Sequence, residues 1–589
     1  MKQFFKFMFA SMAGFVLSGI LLFVIFLIMI VSMLSSSSEK KIIVKENSIL
    51  EIKLNREISE RSSKNPFDNL DVTSMKSKKS LGLYDIVTAI KSAANDKKIK
   101  GIYLNISGIQ AGISDIEEIR NAIIEFKKSG KFVISYSEGY TQGAYYLATA
   151  ADQIYLNNEG AINLKGLGAS VMFFKGTLSK LDVEAQIIRH GKFKSAIEPY
   201  TLDKMSAENR EQTMTYVGSI WNDMVSKISK SRKISENRIN EVADSLLLQF
   251  PQDALDMNFV DDLIYKDQLL DVFKEKVEAK SVDDINFISL EKYLSSDNSK
   301  TAKTKIKDKI AVIYAVGEIT GGEGSDKSIG SEGTSKEIRK ARLDENIKAI
   351  VLRVNSPGGS ALASEVILRE LMLAKEVKPV VVSMGSLAAS GGYYISCHAN
   401  YIYAQPNTLT GSIGVFGMIP NIEKLLNNKL GVTVDQVKTN QNSDYMSINR
   451  PMTEYEYSTI LKSIERIYDT FITHVANGRG LTKEYVDSIG QGRVWSGIDA
   501  KNLKLVDELG GIDDAIAKAA NLAEIEDYRL TFRPVQKDFV EQILEDMSQT
   551  QIEILKSEFG QLYEFYEVSQ HLYKQKGIQA RLPFVITIE

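Results

Sequence analysis

Lys98-Ile99-Lys100-Gly101-Ile102-Tyr103-Leu104 returns 248 residues later as Asn346-Ile347-Lys348-Ala349-Ile350-Val351-Leu352. The same offset sets Gly143-Ala144-Tyr145-Tyr146 on Gly391-Gly392-Tyr393-Tyr394. It also pairs Asp96 with Asp344, Ala151 with Ala399, Ile154 with Ile402, Tyr155 with Tyr403 and Gly166 with Gly414, so one register holds over about 70 residues. Upstream, Leu50 to Ile58 matches Ala311 to Ile319 at an offset of 261, which makes one loop of the first copy about 13 residues longer. A period near 250 residues is too long for a solenoid. The chain therefore reads as one domain written twice, joined through the polar stretch from Ser295 to Lys309.

Within each copy, short β-rich apolar runs alternate with helical patterns. Ile310–Val316, Ala349–Val354 and Val380–Met384 read as strands, separated by helices over Ser335–Arg342 and Ala361–Ala374. This alternation predicts βαβ units: an α/β fold with buried parallel strands and helices outside. Functional groups then belong at the C-terminal ends of strands, where loops turn into helices. The expected organisation is an anchor over 1–40, a first domain over 41–300, a second over 301–535 and a helical tail over 536–589. That tail carries Ile552, Leu555, Phe559, Leu562 and Tyr566 at heptad-like spacing, which suits either assembly or intramolecular packing.

The 589 residues are 44% hydrophobic, enough for a sizeable core, and 72 basic against 75 acidic side chains leave a net charge of −3. No global field attracts nucleic acid. A single cysteine, Cys397, and four histidines exclude an intramolecular disulfide and a Cys/His zinc cluster. From Phe7 to Leu34 there is no charged residue. At 1.5 Å per residue that run would reach about 42 Å, beyond the roughly 30 Å hydrocarbon core. It is too long for a cleavable signal region of 7–15 apolar residues, so one uncleaved transmembrane helix is expected. Lys2 and Lys6 before it favour a cytoplasmic N-terminus only weakly, because Lys40 and Lys41 follow closely.

Two strand-to-helix turns are chemically unusual. Asn355-Ser356-Pro357-Gly358-Gly359-Ser360 places adjacent glycines at a helix entrance, where backbone N–H groups can approach developing negative charge. An ordinary Pro-Gly turn would look the same, but its counterpart, Ser107-Gly108-Ile109-Gln110-Ala111-Gly112, has lost the Pro-Gly-Gly, so the fold does not require it. The second turn, Ala388-Ala389-Ser390-Gly391-Gly392-Tyr393-Tyr394, leaves a serine sterically open between small residues, as a nucleophile needs. A helix N-cap would also explain a serine there, yet the first copy has Gln142 at that place while keeping the flanking residues. The base is open at this level. His398 lies eight residues after Ser390, His190, His474 and His571 have no neighbouring motif, and a lysine neutralised by burial is the alternative.

In combination these motifs resemble the long form of the signal peptide peptidase A (protease IV) family, serine peptidases of ClpP/crotonase-like fold, over nearly the whole chain. The resemblance implies two tandem ClpP/crotonase-like domains and a Ser-Lys dyad. It places the base at Lys194, in Gly191-Lys192-Phe193-Lys194-Ser195-Ala196-Ile197-Glu198-Pro199, and the nucleophile at Ser390. It further implies an oxyanion hole at Gly359 and Gly391, with Gly358 and Gly392 supporting, and a hydrogen bond from Ser412 to the base. Aligning Leu181-Asp182-Val183 with Leu430-Gly431-Val432 puts Ser443 opposite Lys194, so each copy retains one member of the dyad and one site per chain is expected. The implied enzyme needs no cofactor and no metal. It cleaves remnant signal peptides and other apolar peptides, forms a homotetramer, and sits in the bacterial cytoplasmic membrane with its catalytic part outside. Two rivals remain at this level: a crotonase-like acyl-CoA enzyme without a serine nucleophile, and a non-catalytic membrane scaffold that binds peptides or partners.

Overall fold

The computed structural model describes residues 42–62, 80–296, 306–536 and 577–581, the short pieces 70–71 and 76–77, and scattered residues between 3 and 25. Among these, no helix is long and apolar enough to cross a membrane. The span expected from Phe7 to Leu34 lies largely outside the described residues, as does the heptad-like run from Ile552 to Tyr566.

The first copy contains β1 (Ser48–Ile52), β2 (Ile99–Asn105), β3 (Phe132–Tyr140), β4 (Gln153–Ile162), β5 (Glu184–Arg189), β6 (Asp262–Leu263) and β7 (Asn286–Ser289). All but β5 form one parallel sheet in the order β6-β4-β3-β2-β1-β7. The second copy contains β8 (Lys309–Val316), β9 (Glu318–Thr320), β10 (Gly324–Ser325), β11 (Ser328–Gly330), β12 (Ile347–Ser356), β13 (Gly358–Ser360), β14 (Val380–Ala389), β15 (Tyr401–Ala404), β16 (Leu409–Gly411), β17 (Phe416–Asn421), β18 (Val494–Ser496), β19 (Glu508–Leu509) and β20 (Arg529–Arg533). Its central sheet runs β18-β16-β14-β12-β8-β20, with β15 and β19 attached beside β14. The predicted strands and helices of this copy fall within β8, β12, β14 and the helices Ser331–Leu343 and Ala361–Lys375.

Side-chain alternation fixes both faces of the central sheet. Ala311, Ile313, Ile350, Leu352, Val380 and Val382 pack with Ile338, Ile367 and Leu371 on one side. Ile310, Val312, Ala349, Val351 and Val381 pack with Ile512, Ala515 and Ile516 on the other. Strands covered on both faces lose the polar-apolar alternation, which is why they read as continuous apolar runs.

A third sheet crosses between the copies in the order β10-β11-β9-β13-β21-β17-β5, where β21 is Gly577–Arg581. Within the stretch 536–589, expected to be helical, these five described residues are thus extended, because the facing edges of β13 and β17 take them up as a strand. At the far end, β5 of the first copy pairs antiparallel with β17 of the second, from Glu184 opposite Asn421 to Arg189 opposite Phe416. That pairing carries the segment after Arg189 into the second copy.

Candidate active site

Ser390 ends the turn after β14 and precedes the short helix Gly391–Tyr394. Its backbone has φ 55° and ψ −114°, a conformation that L-residues rarely adopt, and its N–H donates to the Gly411 carbonyl at 2.9 Å. The side chain does not cap the helix. In the first copy that capping task falls to Thr141, whose Oγ1 accepts from the Ala144 N–H. The Ser390 hydroxyl is left free for another partner.

That partner is Lys194, five residues beyond the end of β5. Its Nζ lies 2.8 Å from Ser390 Oγ, 3.0 Å from Ser412 Oγ and 3.2 Å from the Ser412 carbonyl oxygen. All three residues are fully buried. Burial alone holds the Lys194 pKa well below its ordinary 10.5, since taking an ammonium out of water disfavours the charged form. A neutral amine has two N–H donors and one lone pair, and these three contacts match that inventory. In the neutral form the two N–H groups would donate to Ser412, which leaves the lone pair for the Ser390 hydroxyl.

The lysine loop is held from several sides by residues that sequence motifs did not single out. Gln212 Nε2 donates to the Phe193 carbonyl and to Ser195 Oγ, both at 2.9 Å, while its Oε1 accepts from the Val494 N–H. Glu198 accepts from the Ser206 hydroxyl at 2.6 Å and from Asn209 Nδ2 at 2.8 Å. Gly492 has φ +86°, and a Cβ there would come within 2.6 Å of Lys194 Cα and N. The spacing Gly490-Gln491-Gly492 was the only sequence signal for this close approach.

The Pro-Gly-Gly turn lies beside the serine. Gly358, at φ +97°, is so close to the helix entrance that a Cβ on it would sit 2.7 Å from the Gly391 nitrogen. Its own N–H donates to Ser356 Oγ at 3.1 Å and is therefore engaged. Gly359 bridges β9 and β21 through Ile319 and Ala580, and Gly392 packs against the Ser356 carbonyl. The structure thus brings Ser390, Lys194, Ser412, Gly358, Gly359, Gly391 and Gly392 into one place. His398 is elsewhere: its Nε2 faces His474 Nδ1 at 3.3 Å, and burial together with His474 pulls its pKa down to about 4. The equivalent places in the first copy are spent structurally. Gln142 there accepts from the Lys165 and Gly166 N–H groups and donates to the Gly166 carbonyl, while in the second copy Ser443, opposite Lys194, lies in an exposed turn.

A buried serine hydroxyl within hydrogen-bond reach of a buried lysine amine, on a strained strand-to-helix turn, is the equipment of a serine hydrolase. The family model described as Peptidase family S49 matches residues 125–280 and again 372–526. "Protease 4" of Salmonella typhi is 40% identical over 476 residues, covering 79% of this chain and 76% of the relative. "Protease 4" of Haemophilus influenzae is 39% identical over 458 residues, covering 75% and 73%. "Serine protease SPPA, chloroplastic" of Arabidopsis thaliana is 33% identical over 442 residues, covering 74% and 64%. The chain belongs to peptidase family S49, with the family domain present twice, and is a serine protease.

Proposed function

We propose that this serine protease works through a Ser-Lys dyad assembled across its two copies, and that it cleaves apolar peptides at a membrane surface. The observation that carries the dyad is the 2.8 Å approach of Lys194, from the first copy, to Ser390 of the second. Neutral Lys194 takes the hydroxyl proton as Ser390 Oγ adds to the scissile carbonyl, and returns it to the leaving amine. An acyl-enzyme remains, and Lys194 then deprotonates the water that hydrolyses it. The N–H groups of Gly359 and Gly391 face the oxyanion. This assignment is supported by the engagement of the Gly358 N–H with Ser356, and each such donor contributes about 3 kcal/mol.

The uncharged run from Phe7 to Leu34 supports attachment to a membrane, with the catalytic mass on the extracytoplasmic side of the bacterial cytoplasmic membrane. A protease so tethered meets short apolar peptides such as the remnants of signal-peptide cleavage, and this substrate class accords with the name of the chloroplast relative only as far as protease. The reading includes a homotetramer of anchored chains, which light scattering in detergent tests. The activity is tested with an apolar fluorogenic peptide and three proteins: wild type, Ser390→Ala and Lys194→Ala. Hydrolysis by wild type with both variants silent is the expected result. A Lys194→Ala variant that stays fully active would overturn the dyad.

A further inference from the structure

Arg493 stands between two aromatic rings. Its guanidinium carbon lies 4.7 Å from the centre of the Phe193 ring and 4.5 Å from that of the Trp495 ring, a cation–π contact on each side. Phe193 belongs to the first copy, Arg493 and Trp495 to the second, so the sandwich closes across the same junction as the dyad. Arg493 Nη2 donates at 2.9 Å to Glu211, on the helix Ala207–Arg232 of the first copy, and Nε is buried without a hydrogen-bond partner. A flat guanidinium stacks on ring faces in this way, which the compact ammonium of a lysine cannot do.

Each member of the sandwich is one step from a member of the site. Phe193 precedes Lys194, and its carbonyl is held by Gln212, the neighbour of Glu211. The Arg493 carbonyl accepts from the Ser412 N–H at 2.7 Å. The Trp495 ring packs on Gly411, where a Cβ would come within 2.9 Å of Trp495 Cδ1. Gly411 in turn accepts from the Ser390 N–H at 2.9 Å and precedes Ser412. The stack is also the boundary with solvent: the Arg493 side chain is 20% exposed and that of Glu211 59%, whereas Lys194, Ser390 and Ser412 are fully buried. The other titratable groups along the lysine loop have tasks of their own or face water. His190 lies on the Tyr468 ring, Lys192 is exposed, and Glu198 is bound by Ser206 and Asn209.

We propose that Arg493 is a positioning residue of this protease: held flat between Phe193 and Trp495, it keeps water from the junction of the copies and holds Lys194, Ser412 and Ser390 in register. The proposal rests on the Ser390–Lys194 reading above. The Arg493 side chain bonds to Glu211 and not to the reacting atoms, so its loss should be felt in proton transfer rather than in peptide binding. Burial alone depresses the Lys194 pKa. Water admitted at the broken stack would relieve that burial and keep Lys194 protonated to a higher pH.

The test is kcat and KM for the fluorogenic peptide against pH, in full-length wild type, Arg493→Gln, Arg493→Lys and Glu211→Gln. Arg493→Gln should lower kcat about tenfold with KM little altered, and should move the acid limb of kcat/KM upward by about one pH unit. Arg493→Lys keeps the charge and loses the flat stack, so its limb should move the same way. A wild-type profile for Arg493→Lys would mean that charge acts and the sandwich does not, which overturns the proposal. So does an unmoved limb in Arg493→Gln, or a loss confined to KM. Should Arg493→Gln fail to fold, Glu211→Gln decides: replacing this exposed carboxylate loosens the stack, and the limb must still move upward. A silent Lys194→Ala beside an unmoved Arg493→Gln overturns the sandwich alone. A fully active Lys194→Ala overturns the dyad and the sandwich with it.

Discussion

Ser412 presents Lys194 with two acceptors from a single residue, its hydroxyl at 3.0 Å and its carbonyl at 3.2 Å. A backbone φ of +48° lets both point the same way. They hold the amine where its Nζ lies 2.8 Å from Ser390 Oγ. Ser412→Ala keeps the carbonyl and removes the hydroxyl, a loss of about 1 kcal/mol of hydrogen bonding. We expect kcat to fall roughly five- to tenfold at unchanged thermal midpoint, with KM little altered. A steady-state comparison at several pH values checks this, and an unaltered kcat would remove Ser412 from the positioning of the base.

Protonation of Lys194 should govern the acid limb of the rate profile. Below its folded pKa the amine carries a proton and cannot accept one from Ser390, so kcat/KM should climb with pH and level off well short of 10.5. The same depression has a stability consequence. A pKa lower in the folded than in the unfolded chain gives a contribution that is complete above 10.5 and lost as the pH falls through the folded value. Lys194→Met deletes the buried amine at similar length. Its hydrolysis should drop by about 10²–10⁴-fold, while its thermal midpoint at pH 7 should not fall and should vary less with pH than that of wild type.

Gly492 is required by space as well as by backbone conformation. A methyl group there meets the Lys194 backbone at 2.6 Å, at a φ of +86° that L-residues rarely adopt. Gly492→Ala should displace the lysine loop and lower kcat by about 10²-fold or more, as small misplacements of reacting groups do. Gln212→Glu, which exchanges the Nε2 donor for an acceptor opposite the Phe193 carbonyl, should lower kcat in the same direction. Hydrogen exchange in residues 190–198 reports whether the loop has loosened; a normal kcat in both variants would show that the loop is held by other means.

Arg353 joins the two copies. Fully buried on β12, it lies 2.8 Å from Glu60 and 2.7 Å from Glu118, both from the first copy. Glu60 in turn accepts from Asn355 Nδ2, at the start of the Pro-Gly-Gly turn. Arg353→Met strands these buried carboxyl groups and should cost about 3–5 kcal/mol, read as a lower denaturant midpoint. Nearby Asp115 has its pKa pushed up to about 8, first by burial and then by Glu60. A raised folded pKa gives stability that is complete below the unfolded value and lost as the pH rises through about 8. Asp115→Asn should therefore flatten the alkaline decline, and an unchanged decline would place its cause elsewhere.

The parts of this fold that could be read in sequence are those where one physical demand sets many neighbouring residues. Strands such as Lys309–Val316, buried on both faces, can hardly contain polar side chains, and β8, β12 and β14 stood out accordingly. Residues shared by both copies mark scaffold: Tyr145 donates to the Phe259 carbonyl and Tyr393 to the Leu505 carbonyl, each at 2.8 Å. What could not be read depends on single long-range meetings. The pairing of Glu184–Arg189 with Phe416–Asn421 joins segments more than 200 residues apart and leaves no periodic trace. Gln212 and Gly492 act through one amide and one missing methyl group. Arg353 did leave a signal, a lone charge within the apolar run Ala349–Val354, since such a residue is rarely buried without a carboxylate partner.

The comparison of copies also bears on the number of sites. At the place of Ser390 the first copy has Gln142, whose amide is fully engaged with Lys165 and Gly166, and at the place of Lys194 the second copy has Ser443 in an exposed turn. Restoring one residue cannot restore a pair whose other member has moved away. Gln142→Ser should therefore create no second nucleophile and should cost stability, because three hydrogen bonds to the Lys165–Gly166 turn are lost. A serine-reactive phosphonate should label one residue per chain, Ser390, in wild type and in Gln142→Ser alike, and none in Ser390→Ala. Two labels on the Gln142→Ser protein would mean that the first copy still holds a competent base near its own turn, and that the dyad is not confined to the junction of the copies.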